Sequence, residues 1–381
     1  MHKKILLTGA RSPITLDLAR LLAHAGHEIH VADTSKVHVC RFSNAVKKIY
    51  SFPSPRFEPQ KFADSLLRIT KANNFDIIIP NWEEIFCLSR YISLFPKSCR
   101  IFSSDFELLN ILHNKWLFAN KQQELGILTP KTYLVACNED LQQVPFQSPF
   151  ILKASYSRAS QKVKKIDPRH LFLDFEISYK NPWIAQEWIK GKKYCSYSIC
   201  HSGEIKAHAV YPVEYSIDES SCLTFESIDH EKIFHWVQSF VKKIQYTGQI
   251  SFDFIESSEG NLYAIECNPR ATSGLHLFEK ENRIDKAFFN QNTSVITPNL
   301  GNRRQIAAGM VIYGWRSKHL ENNFSKYLKK LFSVKDVVFC IKDIKPFLLQ
   351  PFVFSVYLLN SLKLRANLPT TFTYDLDFDN E

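Results

Sequence analysis

Gln249-Ile-Ser-Phe-Asp253-Phe-Ile255 and Asn261-Leu-Tyr-Ala-Ile-Glu266-Cys-Asn268-Pro-Arg270 are two apolar, strand-like runs with acidic or amide groups at alternate positions. The segment Glu256 to Asn261 between them reads as a turn. In a β-hairpin, side chains two apart share a face. Glu266 and Asn268 therefore point the same way, and a paired strand brings Asp253 opposite them. Two carboxylates and an amide oxygen converging on one point make a hard-oxygen site suited to Mg²⁺, which takes one or two carboxylates, several waters and substrate phosphates. Arg270, beyond the rigid Pro269, adds a permanent cation beside that point. An ordinary acidic surface hairpin is the alternative, so the rest of the chain has to decide.

The 381 residues suffice for two or three domains at ~100–200 residues each. A hydrophobic share of 45% and a charged share of 23% describe a folded chain, not a disordered one. The net charge of +10 is carried by scattered lysines with no basic run; nucleic acid is not expected, and anionic ligands such as nucleotides fit better. Nine cysteines with no C-x-x-C pair predict reduced, mostly buried thiols in a cytoplasmic protein. An apolar strand begins directly after Met-His-Lys-Lys, so no secretory leader is expected. The most apolar stretch, Pro346 to Leu364, is interrupted by a second proline, Gln350 and Asn360. It falls short of a transmembrane segment and reads as a packing helix, with a peripheral membrane contact as the alternative.

Residues 1–104 alternate strands and helices. Ile5-Leu6-Leu7 is a strand, Ile14 to Ala25 a helix ended by Gly26, and Glu28 to Ala32 a second strand closing on Asp33. A third strand is expected over Asp76 to Pro80 and a helix over Glu83 to Phe95. This alternation predicts a Rossmann-like, doubly wound parallel sheet. The turn Thr8-Gly-Ala-Arg-Ser-Pro13 lacks the further glycines that let a pyrophosphate approach a helix N-terminus, so a scaffold without cofactor is expected there. One helix is expected across Ser104 to Leu125, then strands over Lys131–Val135, Phe150–Lys153, Trp183–Ile189, Tyr194–Cys200 and His208–Tyr215. A helix over Asp229 to Ile244 leads into the acidic hairpin.

Four elements thus follow in order: Lys115 on a helix, Lys153 ending a strand, Gln186-Glu-Trp-Ile189 on a strand, and Asp253, Glu266, Asn268 and Arg270. This order resembles the ATP-grasp superfamily, which includes D-alanine–D-alanine ligase, biotin carboxylase and carbamoyl phosphate synthetase. The resemblance covers roughly residues 1–280. Its most specific part is Glu266 to Gly274, which looks like the superfamily's E-x-N-P-R signature and the small-residue loop after it. The implied fold class is α/β and α+β. A Rossmann-like parallel-sheet domain (1–104) precedes a two-lobed ATP-grasp domain (105–280, lobes about 105–182 and 183–280), and residues 281–381 form an extension of unknown role.

The resemblance also implies ATP and two Mg²⁺ ions as cofactors, with Mn²⁺ able to substitute. Lys115 and Lys153 would donate to the α- and β-phosphates, joined by Ser157 and Arg158 from the following loop. The Gln186 side chain and the backbone of Glu187 and Ile189 would meet adenine. Asp253 and Glu266 would hold one metal, and Glu266 and Asn268 the other. Arg270 would be the catalytic cation, while Ser273, Gly274 and His276 would line the acceptor site, with Asn81 to Glu84 and Tyr211 to Tyr215 nearby. The implied reaction activates a small carboxylate as an acyl phosphate for attack by an amine-type nucleophile, releasing ADP and phosphate; homodimer formation is left open. Two features depart from the family pattern. The loop Ser155 to Gln161 contains no glycine, and Lys193 stands where a ribose-binding glutamate is usual. The rival readings are a catalytically degenerate nucleotide-binding module and an NAD(P)-dependent reductase built on Thr8 to Asp33.

Overall fold

A computed structural model describes residues 2–156, 163–171, 173, 175–217, 221–316 and 324–378. The N-terminal third contains β1 (Lys4–Thr8), α1 (Pro13–His24), β2 (Glu28–Asp33), β3 (Lys48–Ser51), α2 (Pro59–Asn73), β4 (Ile77–Ile79), α3 (Glu84–Arg90) and β5 (Arg100–Ile101). The strands pair in parallel in the order β3-β2-β1-β4-β5. Ile5 and Leu7 face the core shared with α1, while Leu6 and Ile78 face the core shared with Phe62 and Leu66 of α2. A parallel strand buried on both faces is apolar throughout, as β1 and β4 are. β3 and β5 were not expected. The first is a half-buried edge strand with polar ends and the second is two residues long, so neither shows an apolar period.

The strand order reverses between β1 and β4, and at the carboxyl ends of these strands the turn after Thr8 meets the loop Asn81 to Glu84. Glu84 is fully buried there, accepting from the Thr8 hydroxyl and from the Asn81 N–H.

The long helix expected across Ser104 to Leu125 is two helices, α4 (Phe106–His113) and α5 (Lys115–Glu124). Asn114 between them is extended, at φ −71° and ψ 119°, and its Oδ1 accepts from the N–H groups of Trp116 and Leu117. An asparagine side chain competes for backbone donors in this way, which ends one helix and caps the next.

Two antiparallel sheets follow. The first holds β6 (Thr132–Val135), α6 (Asn138–Gln142) at its side, β7 (Phe150–Ala154), β8 (Val163–Ile166) and β9 (Trp183–Glu187), in the order β6-β9-β7-β8. The second holds β10 (Gly191–His201), β11 (Glu204–Pro212), α7 (Glu231–Lys243) behind it, β12 (Gly248–Ser257) and β13 (Leu262–Asn268), in the order β11-β10-β12-β13. Beyond residue 280 the chain returns to the N-terminal unit. Val353 and Tyr357 of the helix Gln350–Leu364 enter the core beside α1, and Asp343 accepts from Arg20 at 2.9 Å.

Candidate active site

The β12–β13 register puts Asp253 directly opposite Glu266 and Ser251 opposite Asn268. The intervening residues Phe252, Phe254, Ala264 and Cys267 turn to the other face and pack with Val237 and Phe240 of α7. Burial of that apolar face is what commits the polar groups to the open one. The register slips after Asp253, because Asp253 pairs with Glu266 while Phe254 pairs with Ala264. Ile265 is the extra residue of this bulge. Its carbonyl accepts from the Lys153 ammonium at 2.9 Å. Lys153 belongs to β7, so this bond joins the two antiparallel sheets.

Lys115, the first residue of α5, sets its ammonium 3.8 Å from the Glu266 carboxylate, and its N–H donates to the Ser155 carbonyl at 3.1 Å. The site therefore holds two buried ammonium groups and two partly exposed carboxylates. Burial, then the neighbouring Glu266 charge, pushes the Asp253 carboxyl up to about 6. Burial pulls the Lys153 ammonium down to about 8, with Glu266 and Asp253 opposing that shift and Lys115 adding to it. Crowded carboxylates beside an amide oxygen fit a hard divalent cation, whose charge would offset their repulsion.

Arg270 is buried at the rim of this cluster. Its Nη2 donates to Asn268 Oδ1 at 3.1 Å and its Nε lies 3.5 Å from Glu83 in the loop Asn81 to Glu84. The same loop is tied to β12, since Gln249 donates to the Pro80 carbonyl at 3.0 Å and to Asn81 Oδ1 at 3.1 Å. The loop at the carboxyl end of β4 thus lies beside the acidic hairpin. Glu83 also accepts from the Phe378 N–H at 2.9 Å, and the Phe378 ring stacks on Phe86 next to His113 and Tyr156. This docking of the C-terminal segment has no signature in the sequence: a short acidic stretch with one aromatic residue reads as a solvated tail.

The other expected contacts divide. Gln186 is buried in β9 and donates to Thr132 Oγ1 at 3.0 Å. Glu187 donates its N–H to the Lys131 carbonyl at 2.8 Å, and Ile189 lies in the three-residue link between the two sheets. Ser157 and Arg158 lie outside the described residues. Lys193 is exposed on β10. Ser273 is half-buried, but Gly274 and His276 do not line open space, which corrects the expectation for both. The segment Ser273–Leu277 is a 3₁₀ turn folded under the sheet. A Cβ on Gly274 would lie 2.5 Å from the Tyr197 Cβ, so only glycine allows that approach. His276 is 1% exposed, held by Asp17 of α1 and stacked on Phe225. Tyr211 is buried as well. Among the described residues, no cluster of three or more His, Cys, Asp or Glu side chains offers another metal site.

Residues 112–274 match the family model of the ATP-grasp domain. The chain carries an ATP-grasp domain over this stretch. This ATP-grasp protein is 22% identical over 203 residues to the carbamoyl phosphate synthase large chain of Thermoanaerobacter sp. (strain X514), a match covering 49% of this chain and 19% of that one. It thus spans about a fifth of that relative's length. Among solved structures it superposes on N5-carboxyaminoimidazole ribonucleotide synthetase from Thermotoga maritima with a TM-score of 0.57 at 17% identity, covering 79% of each chain. It also superposes on the biotin carboxylase domain of Hydrogenobacter thermophilus 2-oxoglutarate carboxylase, in complex with MgADP and bicarbonate, with a TM-score of 0.62 at 13% identity. That alignment covers 80% of this chain and 74% of the other. At such identities these likenesses establish the ATP-grasp fold. The matched stretch includes Lys115, Lys153 and the whole acidic hairpin and stops short of His276.

Proposed function

We propose that this ATP-grasp protein is an ATP- and Mg²⁺-dependent ligase that activates a small carboxylate as an acyl phosphate for attack by an amine-type nucleophile, releasing ADP and phosphate. The observation that carries this reading is the convergence of Lys153 from one sheet and Lys115 from α5 on the strand that bears Glu266. ATP carries about four negative charges, and transfer of its γ-phosphoryl group needs positive groups fixed where charge builds up. In this reading Lys115 and Lys153 hold the phosphates, and adenine lies by Gln186 and the Glu187–Ile189 link. Ser157 and Arg158 cover the phosphates in place of the usual glycines. Asp253, Glu266 and Asn268 hold the divalent ions, which when bound neutralise the transferring group; Mn²⁺ is expected to replace Mg²⁺. Arg270, fixed by Glu83 and Asn268, meets the acyl oxyanion, where a planar guanidinium matches a carboxylate better than an ammonium does. Ser273 and the loop Asn81 to Glu84 lie on the acceptor side.

The three-part division, 1–104, 105–280 and 281–381, belongs to the same proposal, as does a cytoplasmic setting. The test is ADP release from ATP and MgCl₂ with pools of carboxylates and amines, followed by mass spectrometry of the products. Glu266→Ala is expected to lower turnover by roughly 10²–10³-fold, the scale of losing one electrostatic contact in a dry site. Near-normal ADP release by that variant would reject the assignment.

A further inference from the structure

The helix Gln350–Leu364 carries apolar side chains on more than one side, yet only one side of it is covered. Val353, Tyr357 and Ser361 recur at four-residue intervals and face the core. Phe352, Leu359 and Leu362 fall on the opposite side, and the turn leading into the helix adds Ile341 and Leu348. These five side chains are 51–81% exposed. A helix with two apolar faces is ordinarily buried on both, and large apolar side chains left exposed together on one element mark a contact surface.

The charges around this face identify what it contacts. From Ile344 to Tyr374 the chain contains no Asp or Glu, while Lys345, Lys363 and Arg365 are all exposed. Lys342, just before, is exposed as well. The carboxylates that flank the stretch along the chain are engaged elsewhere: Asp343 is buried against Arg20 and Ser43, Asp336 accepts from the Ala307 and Phe339 N–H groups, and Asp375 pairs with Arg11. A second copy laid on this face would set the same cations against each other with no carboxylate of the stretch to offset them. A bilayer rich in anionic lipid supplies what is missing, negative headgroups for the lysines and an acyl boundary for the leucines. Crossing the bilayer is excluded for this element, since its 15 residues span only about 22 Å of a hydrocarbon core of about 30 Å. No described helix is long and apolar enough to cross a membrane.

We propose that the Gln350–Leu364 helix, with the turn before it, docks this protein on the surface of an anionic membrane, lying in the plane of the headgroups. This inference does not rest on the proposed reaction. It is tested by flotation of the full chain with phosphatidylcholine vesicles, with and without phosphatidylglycerol, at low and high salt. Co-flotation is expected with the anionic vesicles only, weakened by salt. Leu359→Asp combined with Leu362→Asp is expected to reduce it about tenfold or more, and Lys345→Glu with Lys363→Glu to remove the preference for anionic lipid. Unchanged thermal unfolding of both variants would show that the fold is intact. The proposal is overturned if the wild-type chain stays with the unbound fraction, or if both variants float as well as it does. It is equally overturned if the chain is a dimer that ignores vesicles and that the leucine substitutions split, because a second copy would then cover the face.

Discussion

His208 carries a neutral imidazole deep in β11, where its Nδ1 shares a hydrogen bond with Ser198 Oγ at 2.9 Å. Burial lowers its pKa to about 3, and the same cause holds His113 at about 3 and His38 and His201 at about 4. In the unfolded chain such a group binds a proton below about pH 6.5. The stability it contributes is therefore complete above that value and is lost as the pH falls from there toward the folded value. For His208 the loss at about pH 5 amounts to about 2 kcal/mol. The urea midpoint is expected to fall between about pH 7.5 and pH 5, with a shallower fall in His208→Gln; an identical slope in that variant would remove the residue from the account. None of this depends on local sequence, since the buried His208 and the partly exposed His230 look alike as letters. That Glu266 and Asn268 share a face was legible from period-two spacing, while Asp253 comes opposite them through the pairing of the two strands. Gly274 and His276 were not legible, because whether a turn opens to solvent or folds under a sheet is decided by what covers it.

At the level of single elements, the break at Asn114 shows local chemistry overriding helical periodicity. The apolar spacing runs through it, but the asparagine oxygen takes two backbone donors and starts α5 afresh with Lys115 at its first position. Asn114→Ala is expected to cost about 1 kcal/mol, the usual value of a lost cap, read as a lower thermal midpoint. An unchanged midpoint would show that tertiary packing alone sets the break. The bulge at Ile265 is the complementary case. Its consequence, a carbonyl aimed at Lys153, depends on a register shared with β12, and no feature of β13 by itself announces it.

Across the whole molecule, the two ends of the chain meet. Arg11 in the β1–α1 turn is buried between Asp33, at 2.6 Å, and Asp375, whose two oxygens accept from its Nη1 at 2.7 Å and its Nη2 at 2.9 Å. The turn that lacks a dinucleotide cradle therefore holds the C-terminal segment, and Asp33 serves an arginine rather than a ribose. Just before Asp375, Phe372 packs edge-on against Trp82, and just after it the Phe378 N–H reaches Glu83, the partner of Arg270. Asp375→Ala leaves Arg11 its Asp33 partner, so a cost of about 1–3 kcal/mol is expected, that of hydrogen bonds to a charged group. Thermal unfolding measures it, and limited proteolysis should show faster cleavage in the last ten residues. Wild-type behaviour in both would mean that Phe378 alone anchors the segment.

The parallel sheet, the acidic hairpin and the order of lysines and carboxylates were determined by sequence, because each rests on a short-range period or on a spacing within one element. Tertiary structure alone decided which lysine meets which strand, that Glu83 and the C-terminal segment stand behind Arg270, and that one side of the Gln350–Leu364 helix lies open. Those outcomes depend on contacts between residues far apart in the chain, and burial is a property of the surroundings that no residue carries by itself.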